Sequence, residues 1–469
     1  MTTAQKTFLE YDRIKELSEA EHVSESVLDE ILDKGLKLQG LSTFEASRLL
    51  AVNERRQLEK ILDAARIVKQ KIYGSRIVLF APLYAGNKCS NNCLYCGFRT
   101  GNRYIKRITL NMDQITHETE MLLRQGHKRV LLLTGESEEY PVDYITDSVA
   151  AVYRAEYRGS AIRRVNLEVA PLEIEDFRLI KKTGIGTYTC FQETYDPDIY
   201  SECHPSGKKA DYHWRLYAMD RAMEAGIDDV GIGALFGLGS YKFEVISLLM
   251  HAAHLERKYG CGPHTVSIPR VEPASGAPLS VNVPNPVTDD DFRKIAAVIR
   301  ISLPYTGIIL STREPAELRN EMFNYGVSQV SGGSKTNPGG YSDTGSCHSS
   351  PENTPGQFAL GDNRTLEEII SSLIDSRYIP SFCTGCYRRG RTGSDFMELA
   401  KPGLIRQYCM PNGIVSFAEY LCDYAGVKTR EKGFRLIREM IRNTENSRIR
   451  NTIEESVKKV TEGERDIYL

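Results

Sequence analysis

Three cysteines within eight residues form the group in this sequence with the clearest chemical potential. They are Cys89, Cys93 and Cys96, spaced CxxxCxxC. A structural zinc ion usually takes four tetrahedral ligands, and no fourth Cys or His lies close by in sequence. A four-iron cubane held by only three thiolates keeps one iron open for a ligand that the protein does not supply. The alternatives are a zinc knuckle completed by a distant ligand and three unrelated core thiols.

A second group of three cysteines lies near the end of the chain. Cys383 and Cys386 form a CxxC, and Cys409 follows after 22 residues. Cys422 or His348 could complete a zinc site here. The spacing alone is therefore compatible with a structural zinc ribbon or with a second iron–sulfur cluster.

The composition is that of a soluble globular protein. The chain has 469 residues, of which 41% are hydrophobic and 26% charged, enough for one large domain with additions or for two or three domains. Its 60 basic and 62 acidic residues leave a net charge of −2, which does not indicate a nucleic-acid partner. There is no apolar segment of signal-peptide or membrane-spanning type. We therefore expect a cytoplasmic protein with reduced thiols and no membrane partner.

From Ser75 onward, short apolar segments alternate with helix-length amphipathic segments. Eight such alternations favour an α/β fold of the (βα)8 TIM-barrel type, preceded by helices and followed by a helical, cluster-binding domain. The predicted domains are residues 1–74, 75–345 and 346–469. The predicted strands are Arg76–Ala81, Arg129–Thr134, Val165–Ala170, Ile185–Cys190, Asp229–Leu235, His264–Ile268, Gly307–Ser311 and Val327–Ser331.

In such a barrel, the loops after the carboxyl ends of the strands build the active site. The first cysteine group follows the first strand, so the residues that end the other strands are candidates for the same rim. Arg270 and Arg313, near the ends of strands six and seven, could bind a carboxylate or could be structural ion-pair partners. The other candidates are Thr134, Gly135, Glu136, Glu168, Gln192, Glu193, Ser331 and Ser334.

Several of these motifs together resemble a known family. The CxxxCxxC spacing is similar to the radical SAM signature, and Thr134-Gly135-Glu136 resembles the superfamily's Gly-Gly-Glu element, which receives the amino group of S-adenosylmethionine (SAM). With the runs STREPAELR and SKTNPGGY and the terminal CxxCx22C, the sequence resembles the HydG family of radical SAM tyrosine lyases, which mature FeFe-hydrogenase. The resemblance covers the chain from about Ser75 to Tyr424.

The resemblance implies a two-part reaction. SAM and a 4Fe–4S cluster on the first cysteine group would cleave L-tyrosine at its Cα–Cβ bond, giving p-cresol and a dehydroglycine-like fragment. That fragment would become carbon monoxide and cyanide on iron at a second 4Fe–4S cluster on the terminal cysteines. The implied partners are L-tyrosine, cysteine as an iron ligand, a reductant such as flavodoxin or ferredoxin, and other hydrogenase maturases.

His264 opens the sixth predicted strand, at the end of the barrel opposite the SAM rim. A lone histidine there is often a packing residue. If the C-terminal domain covers that end, His264 would face the second cluster, and the resemblance implies that it binds an additional iron. Such a division also predicts an internal channel from Cys96 to His264. The alternatives are a tyrosine lyase of thiazole-synthase type, a tryptophan lyase and, outside enzymes, an iron–sulfur carrier or scaffold.

Overall fold

Eight parallel strands close into a barrel in the computed structural model, which describes residues 7–21, 23–342 and 356–469. The last of the eight pairs back onto the first, with Val78 opposite Gln329, so the predicted TIM-type barrel is confirmed. The strands are β1 (Arg76–Gly86), β2 (Arg129–Thr134), the hairpin β3 (Glu156–Tyr157) and β4 (Ser160–Ala161), β5 (Arg164–Glu168), β6 (Tyr188–Thr189), β7 (Val230–Gly233), β8 (Thr265–Ser267), β9 (Gly307–Leu310), β10 (Gln329–Ser331) and β11 (Ile379–Ser381). The barrel consists of β1, β2 and β5 to β10.

In the described part of the chain, four helices precede the barrel, ten lie between its strands and six follow it. One continuous apolar core joins the three groups, from Leu9 to Val460. The helices are α1 (Tyr11–Ser18), α2 (Glu25–Leu36), α3 (Thr43–Leu50), α4 (Arg55–Tyr73), α5 (Met112–Gln125), α6 (Val142–Arg154), α7 (Ile174–Lys182), α8 (Pro197–Cys203), α9 (Tyr212–Leu216), α10 (Ala218–Glu224), α11 (Tyr241–Tyr259), α12 (Pro278–Val281), α13 (Asp289–Ser302), α14 (Ala316–Met322), α15 (Leu366–Asp375), α16 (Gly385–Arg388), α17 (Gly393–Ala400), α18 (Arg406–Asp423), α19 (Val427–Arg442) and α20 (Ser447–Thr461).

Local sequence signals set several helix ends. At the start of α3, Glu45 N donates to Ser42 Oγ at 3.2 Å, and Ser42 N donates to the Glu45 carboxylate at 2.7 Å, which is a capping box. Gly126 ends α5 with a φ of 97°, a left-handed conformation that favours glycine.

The C-terminal region is helical, as predicted, and adds one short strand, β11. β11 pairs in parallel with the amino end of β1, with Ile379 opposite Arg76 and Ser381 opposite Val78. A three-residue strand with Pro380 at its centre gives no sequence signal. The pairing brings Cys383, two residues beyond β11, to the amino-terminal end of the barrel.

The domain boundaries 1–74, 75–345 and 346–469 remain predictions, and the second boundary lies in residues 343–355, outside the described residues. Among the helices that the structure describes, none is both long and apolar enough to cross a membrane.

Candidate functional site

The first cysteine loop leaves the carboxyl end of β1 and is tied to the loop that follows β2. Ser90 N donates to Glu136 O at 2.7 Å, and the Asn91 side-chain amide donates to the Glu136 carboxylate at 2.6 Å. Gly135 packs so closely that a Cβ there would lie 2.2 Å from the carbonyl oxygen of Lys88. The predicted Thr-Gly-Glu element therefore contacts the cysteine loop directly.

The three thiols of this loop influence one another electrostatically. Burial first, and then Cys93 and Cys89, raise the pKa of Cys96 to about 12. Burial also raises the pKa of Cys93. Thiolates at these positions would repel one another, so a cation bound between them would stabilise the charged form, and iron binds thiolate strongly.

A single zinc ion is the alternative occupant of each cysteine group. Among the described residues, no group of three or more His, Cys, Asp or Glu side chains could hold a metal ion. Zinc needs its ligands within about 2.3 Å of one centre. A cubane places each thiolate on a different iron, so its cysteines stand further apart. His348, one of the two ligands that could have completed zinc at the second group, lies outside the described residues.

A cavity of about 1090 Å³ of empty space lies inside the carboxyl end of the barrel, next to the first cysteine loop. Six of the predicted site residues line the cavity: Cys96, Glu168, Glu193, Arg313, Ser331 and Ser334.

Two carboxyl groups in the cavity have pKa values that are shifted in opposite directions. Burial first, and then the Glu193 charge, raise the pKa of Glu168 to about 7. Burial acts the same way on Glu193, but Lys209 and Arg215 outweigh it and lower the pKa of Glu193. Lys209 Nζ donates to Glu193 Oε1 at 2.7 Å. Glu193 is therefore an anion at neutral pH, whereas Glu168 can exchange a proton there.

The two predicted carboxylate-binding arginines are in different situations. Arg270 does not line the cavity. Its Nε lies 3.1 Å from the carboxylate of the fully buried Glu314, and its guanidinium also pairs with Asp289 at 2.9 Å. Arg313 lines the cavity and lies over the ring of Phe358, 3.4 Å from its centroid. Within the described residues, its guanidinium has no recorded hydrogen bond or ion pair, so Arg313 is the cation that remains available to a ligand. The contacts of Arg270 are those of a structural ion-pair partner, the alternative given for both arginines from the sequence.

Three further predicted residues, Ser331, Ser334 and Gln192, differ in whether their side chains reach the cavity. Ser334 is buried, lines the cavity and has a hydroxyl without a partner in the described structure. Ser331 lines the cavity as well, and its carbonyl oxygen accepts a hydrogen bond from Arg319 at 2.5 Å. Gln192 is buried with both amide atoms unpartnered, but it does not line this cavity.

Some lining residues were not predicted. Tyr84 lies beyond the predicted end of the first strand, and its hydroxyl donates to Gln357 Oε1 at 2.8 Å. Gln357 and Phe358 follow the segment outside the described residues and carry no motif, so no sequence signal could have found them. Asn166 alternates with the apolar residues of β5, and that inward polar position was the available signal.

The second cysteine site lies at the opposite, amino-terminal end of the barrel. Cys383 follows β11, Cys386 is on α16 and Cys409 is on α18, and all three line a cavity of about 540 Å³ of empty space. The Gly385 N–H donates to Cys383 Sγ at 3.3 Å. Cys422 is not among the lining residues.

Buried cations surround this second site. Arg76 and Arg129 line the cavity, and each has a buried Nε without a partner in the described structure; Arg391 Nε is likewise unpartnered. The pKa of the Cys386 thiol is lowered, first because Cys409 donates a hydrogen bond to it and then by Arg391 and Arg76. A cluster bound through three thiolates is anionic, and guanidinium groups with a free Nε–H fit such an occupant.

His264 lines the same cavity as the three cysteines. Its Nε2 lies 3.1 Å from the Tyr387 hydroxyl, and its Nδ1 lies 3.4 Å from Asp229 Oδ1. Burial first lowers the pKa of His264, so the imidazole is neutral at physiological pH, the form in which histidine binds metals.

Two family models match the chain: the Radical SAM superfamily over residues 83–249, and the Biotin and Thiamin Synthesis associated domain over residues 267–379. The crystal structure of HydG, a maturase of the FeFe-hydrogenase, is 43% identical, with a TM-score of 0.94 over 98% of this chain and 100% of its own. This chain belongs to the HydG family of radical SAM proteins.

Two further comparisons bear on this HydG-family chain. HydG from Carboxydothermus hydrogenoformans is 39% identical, with a TM-score of 0.79 over 95% of this chain and 96% of its own. The 2-iminoacetate synthase of Salmonella typhimurium is 32% identical over 73% of this chain and 87% of its own length. Membership of the radical SAM superfamily implies SAM and a 4Fe–4S cluster, which the first cysteine group and the adjoining cavity fit.

Proposed function

We propose that this chain cleaves L-tyrosine at its Cα–Cβ bond and converts the released fragment to carbon monoxide and cyanide on iron, for assembly of the FeFe-hydrogenase active site. The observation that carries the proposal is the pair of three-cysteine sites at opposite ends of one barrel. HydG structures are 39–43% identical to this chain, whereas a 2-iminoacetate synthase is 32% identical. That difference favours the maturase over the thiazole-synthase alternative.

In the first cavity, Cys89, Cys93 and Cys96 would hold a 4Fe–4S cluster. With SAM bound, this centre supplies a 5′-deoxyadenosyl radical. The Thr-Gly-Glu element beside the loop is proposed to bind SAM, together with three residues from other strand ends: Glu168, Gln192 and Glu193. Carboxylates there suit its ammonium group.

The same cavity has a cation and hydroxyl groups for the substrate. Arg313 would bind the tyrosine carboxylate through its guanidinium fork. The unpartnered Ser334 hydroxyl and neighbouring Ser331 would contact the polar end of the amino acid. The apolar wall, including Leu131 and Leu133, would exclude water from the reacting carbon.

At the other end, Cys383, Cys386 and Cys409 would hold the second 4Fe–4S cluster, with His264 on an additional iron. Free cysteine is proposed as a further iron ligand. A flavodoxin or ferredoxin would supply electrons, and the product would pass to other hydrogenase maturases in the cytoplasm.

Anaerobic reconstitution with iron, sulfide, SAM and dithionite, followed by addition of L-tyrosine, tests the proposal. We expect 5′-deoxyadenosine, p-cresol and carbon monoxide, with L-phenylalanine as the matched control that lacks the phenol. p-Cresol without carbon monoxide would favour the thiazole-synthase type. Bound iron without 5′-deoxyadenosine would favour a carrier or scaffold.

A further inference from the structure

The segment that follows the first cysteine loop, residues 97–108, is attached directly to one of the predicted cluster ligands. The Phe98 N–H donates to Cys96 Sγ at 3.4 Å, and the Arg99 N–H donates to Cys96 O at 3.1 Å. The Asn102 N–H donates in turn to Arg99 O at 3.0 Å. Two successive hydrogen-bonded turns therefore connect the surface of this segment to the first cysteine site.

Hydrogen bonds from two side chains fix the backbone of this segment. The side-chain amide of Asn102, which is buried, donates to Gly97 O and to Ser275 O, each at 2.7 Å. The Arg107 guanidinium donates to four backbone carbonyl oxygens at 2.6–3.2 Å, those of Asn87, Phe98, Arg99 and Asn102. Because the backbone is already ordered, a partner that binds here would lose little affinity to ordering it.

Two large apolar side chains are exposed on segments that contact the first cysteine loop. Tyr104 is 85% exposed, the highest value for a large hydrophobic side chain in the described part of the chain. Val281, on α12, is 72% exposed, and α12 is joined to the cysteine loop because the Leu279 N–H donates to Leu94 O at 3.0 Å. Exposed aromatic side chains on an ordered backbone are typical anchors of protein interfaces.

The charge around these apolar groups is positive, although the whole chain has a net charge of −2. Residues 97–112 include four basic residues and no acidic one, and the adjoining residues 273–288 include no charged residue. Arg103 and Lys106 are exposed, and within the described residues neither side chain has an ion pair or a hydrogen bond. Glu139, on the loop after β2, is paired with Lys88 at 2.7 Å. We call the exposed side chains of the two segments the cationic surface: Arg103, Tyr104, Lys106 and Val281.

We propose that the cationic surface docks an acidic electron-carrier protein, which reduces the cluster at the first cysteine site. The inference rests on the part of the proposed function that places a 4Fe–4S cluster there. Each cleavage of SAM consumes one electron, so one carrier must be oxidised by one electron for each radical formed, and no bond forms between the two proteins. Electron transfer slows steeply with distance, so the carrier has to bind on the surface nearest the cluster.

The chemistry of the surface defines the carrier that it fits. Unpaired cations attract a protein with carboxylates around its redox centre, speed the encounter and reject carriers of the same charge. Tyr104 and Val281 then supply apolar contact at the centre of the complex. A flavodoxin with an acidic surface has these properties and is the probe for the experiments.

Binding of oxidised flavodoxin tests the surface without relying on catalysis. In calorimetric titrations of the reconstituted protein at low salt, Arg103→Glu combined with Lys106→Glu should raise the Kd about tenfold or more, and Tyr104→Ala about fivefold. The Kd of the parent should rise with salt concentration, and that of the charge-reversal variant should rise much less. Carbodiimide, which joins carboxylates to amines, should cross-link flavodoxin to Lys106.

A kinetic assay separates docking from damage to the cluster. With reduced flavodoxin as the electron source, the charge-reversal variant should need about tenfold more flavodoxin to reach half of its maximal rate of 5′-deoxyadenosine formation. With dithionite in high salt, where steering by charge is screened, its rate should stay within about twofold of the parent. An equal loss with both reductants would show that the segment is only structural and would overturn the proposal.

Val427→Ala combined with Lys428→Glu is the matched control. Val427 is 71% exposed at the start of α19, and the neighbouring Lys428 is exposed and has no ion pair among the described residues. The pair therefore offers the same kinds of side chain in the C-terminal region, on an element that has no recorded contact with the first cysteine loop. The Kd for flavodoxin should be the same as that of the parent.

The outcomes distinguish the docking surface from the proposed function. An unchanged Kd in the charge-reversal variant, or cross-links only at other lysines, would place the carrier elsewhere and overturn the proposal. A parent protein that binds flavodoxin through Lys106 and forms 5′-deoxyadenosine but no p-cresol would instead overturn the proposed function and leave the docking surface intact.

Discussion

Replacing Arg313 should weaken the binding of tyrosine more than any other single change in the first cavity. Among the described residues, it is the only cationic side chain that lines this cavity. Its neighbours Glu168 and Glu193 are carboxyl groups and cannot substitute for it. Without Arg313, the carboxylate of a bound amino acid would be buried with no positive partner.

The expected magnitude follows from the burial of the pair. A hydrogen bond to a charged group contributes about 1.5–3 kcal/mol, and each 1.4 kcal/mol is a factor of ten in affinity. Arg313→Gln should therefore raise the KM for L-tyrosine by about 10- to 150-fold. Arg313→Lys keeps the charge but loses the planar fork, so its KM should fall between those of the parent and Arg313→Gln.

The assay is the rate of p-cresol formation against the concentration of L-tyrosine. Arg270→Gln provides the contrast, because Arg270 pairs with the fully buried Glu314. Leaving a buried charge unpaired costs about 3–5 kcal/mol, so this variant should lose thermal stability while its KM stays within about threefold of the parent. An unchanged KM in Arg313→Gln, or a large rise only in Arg270→Gln, would refute the assignment.

Three other predictions separate the parts of the molecule. Cys93→Ser should abolish 5′-deoxyadenosine formation, and normal formation would exclude a radical SAM cluster at the first loop. Cys386→Ala and His264→Ala should each keep p-cresol but lose the carbon monoxide-bearing iron product; product at the parent's rate would make these residues structural. Glu244 is fully buried, and burial raises its pKa from 4.5 to about 8. Because the pKa of Glu244 is higher in the folded state than in the unfolded chain, its carboxyl stabilises the fold fully below about pH 4.5. This contribution to the free energy of unfolding is lost as the pH rises to about 8. The loss is about 1.4 kcal/mol per pH unit, or several kcal/mol at most. Glu244→Gln should flatten the thermal stability of the holoenzyme across this window, and an unaltered pH profile would count against the shift.

The sequence was sufficient to predict the barrel because its signals are local and repeated. Apolar segments alternate with amphipathic ones eight times, and each of the eight predicted strands overlaps a strand of the structure. A glycine at a helix end, such as Gly126, follows from the left-handed conformation needed there. These signals depend only on a residue and its near neighbours.

The roles of the two arginines could not be separated in this way. Arg270 and Arg313 both follow barrel strands, and both are flanked by carboxylates in sequence. Their roles differ because Glu314, which follows Arg313 in the chain, pairs with Arg270 instead, although the two residues are 44 positions apart. The curvature of the barrel, which brings adjacent strand ends together, determines which of the two arginines pairs with Glu314.

The length of β1 links the two cysteine sites. Cys89 follows the carboxyl end of this strand, whereas β11 pairs with its amino end at Arg76 and places Cys383 there. The ten steps between its eleven residues, at about 3.3 Å each, separate these ends by roughly 33 Å. The two cysteine sites therefore lie beside opposite ends of one strand.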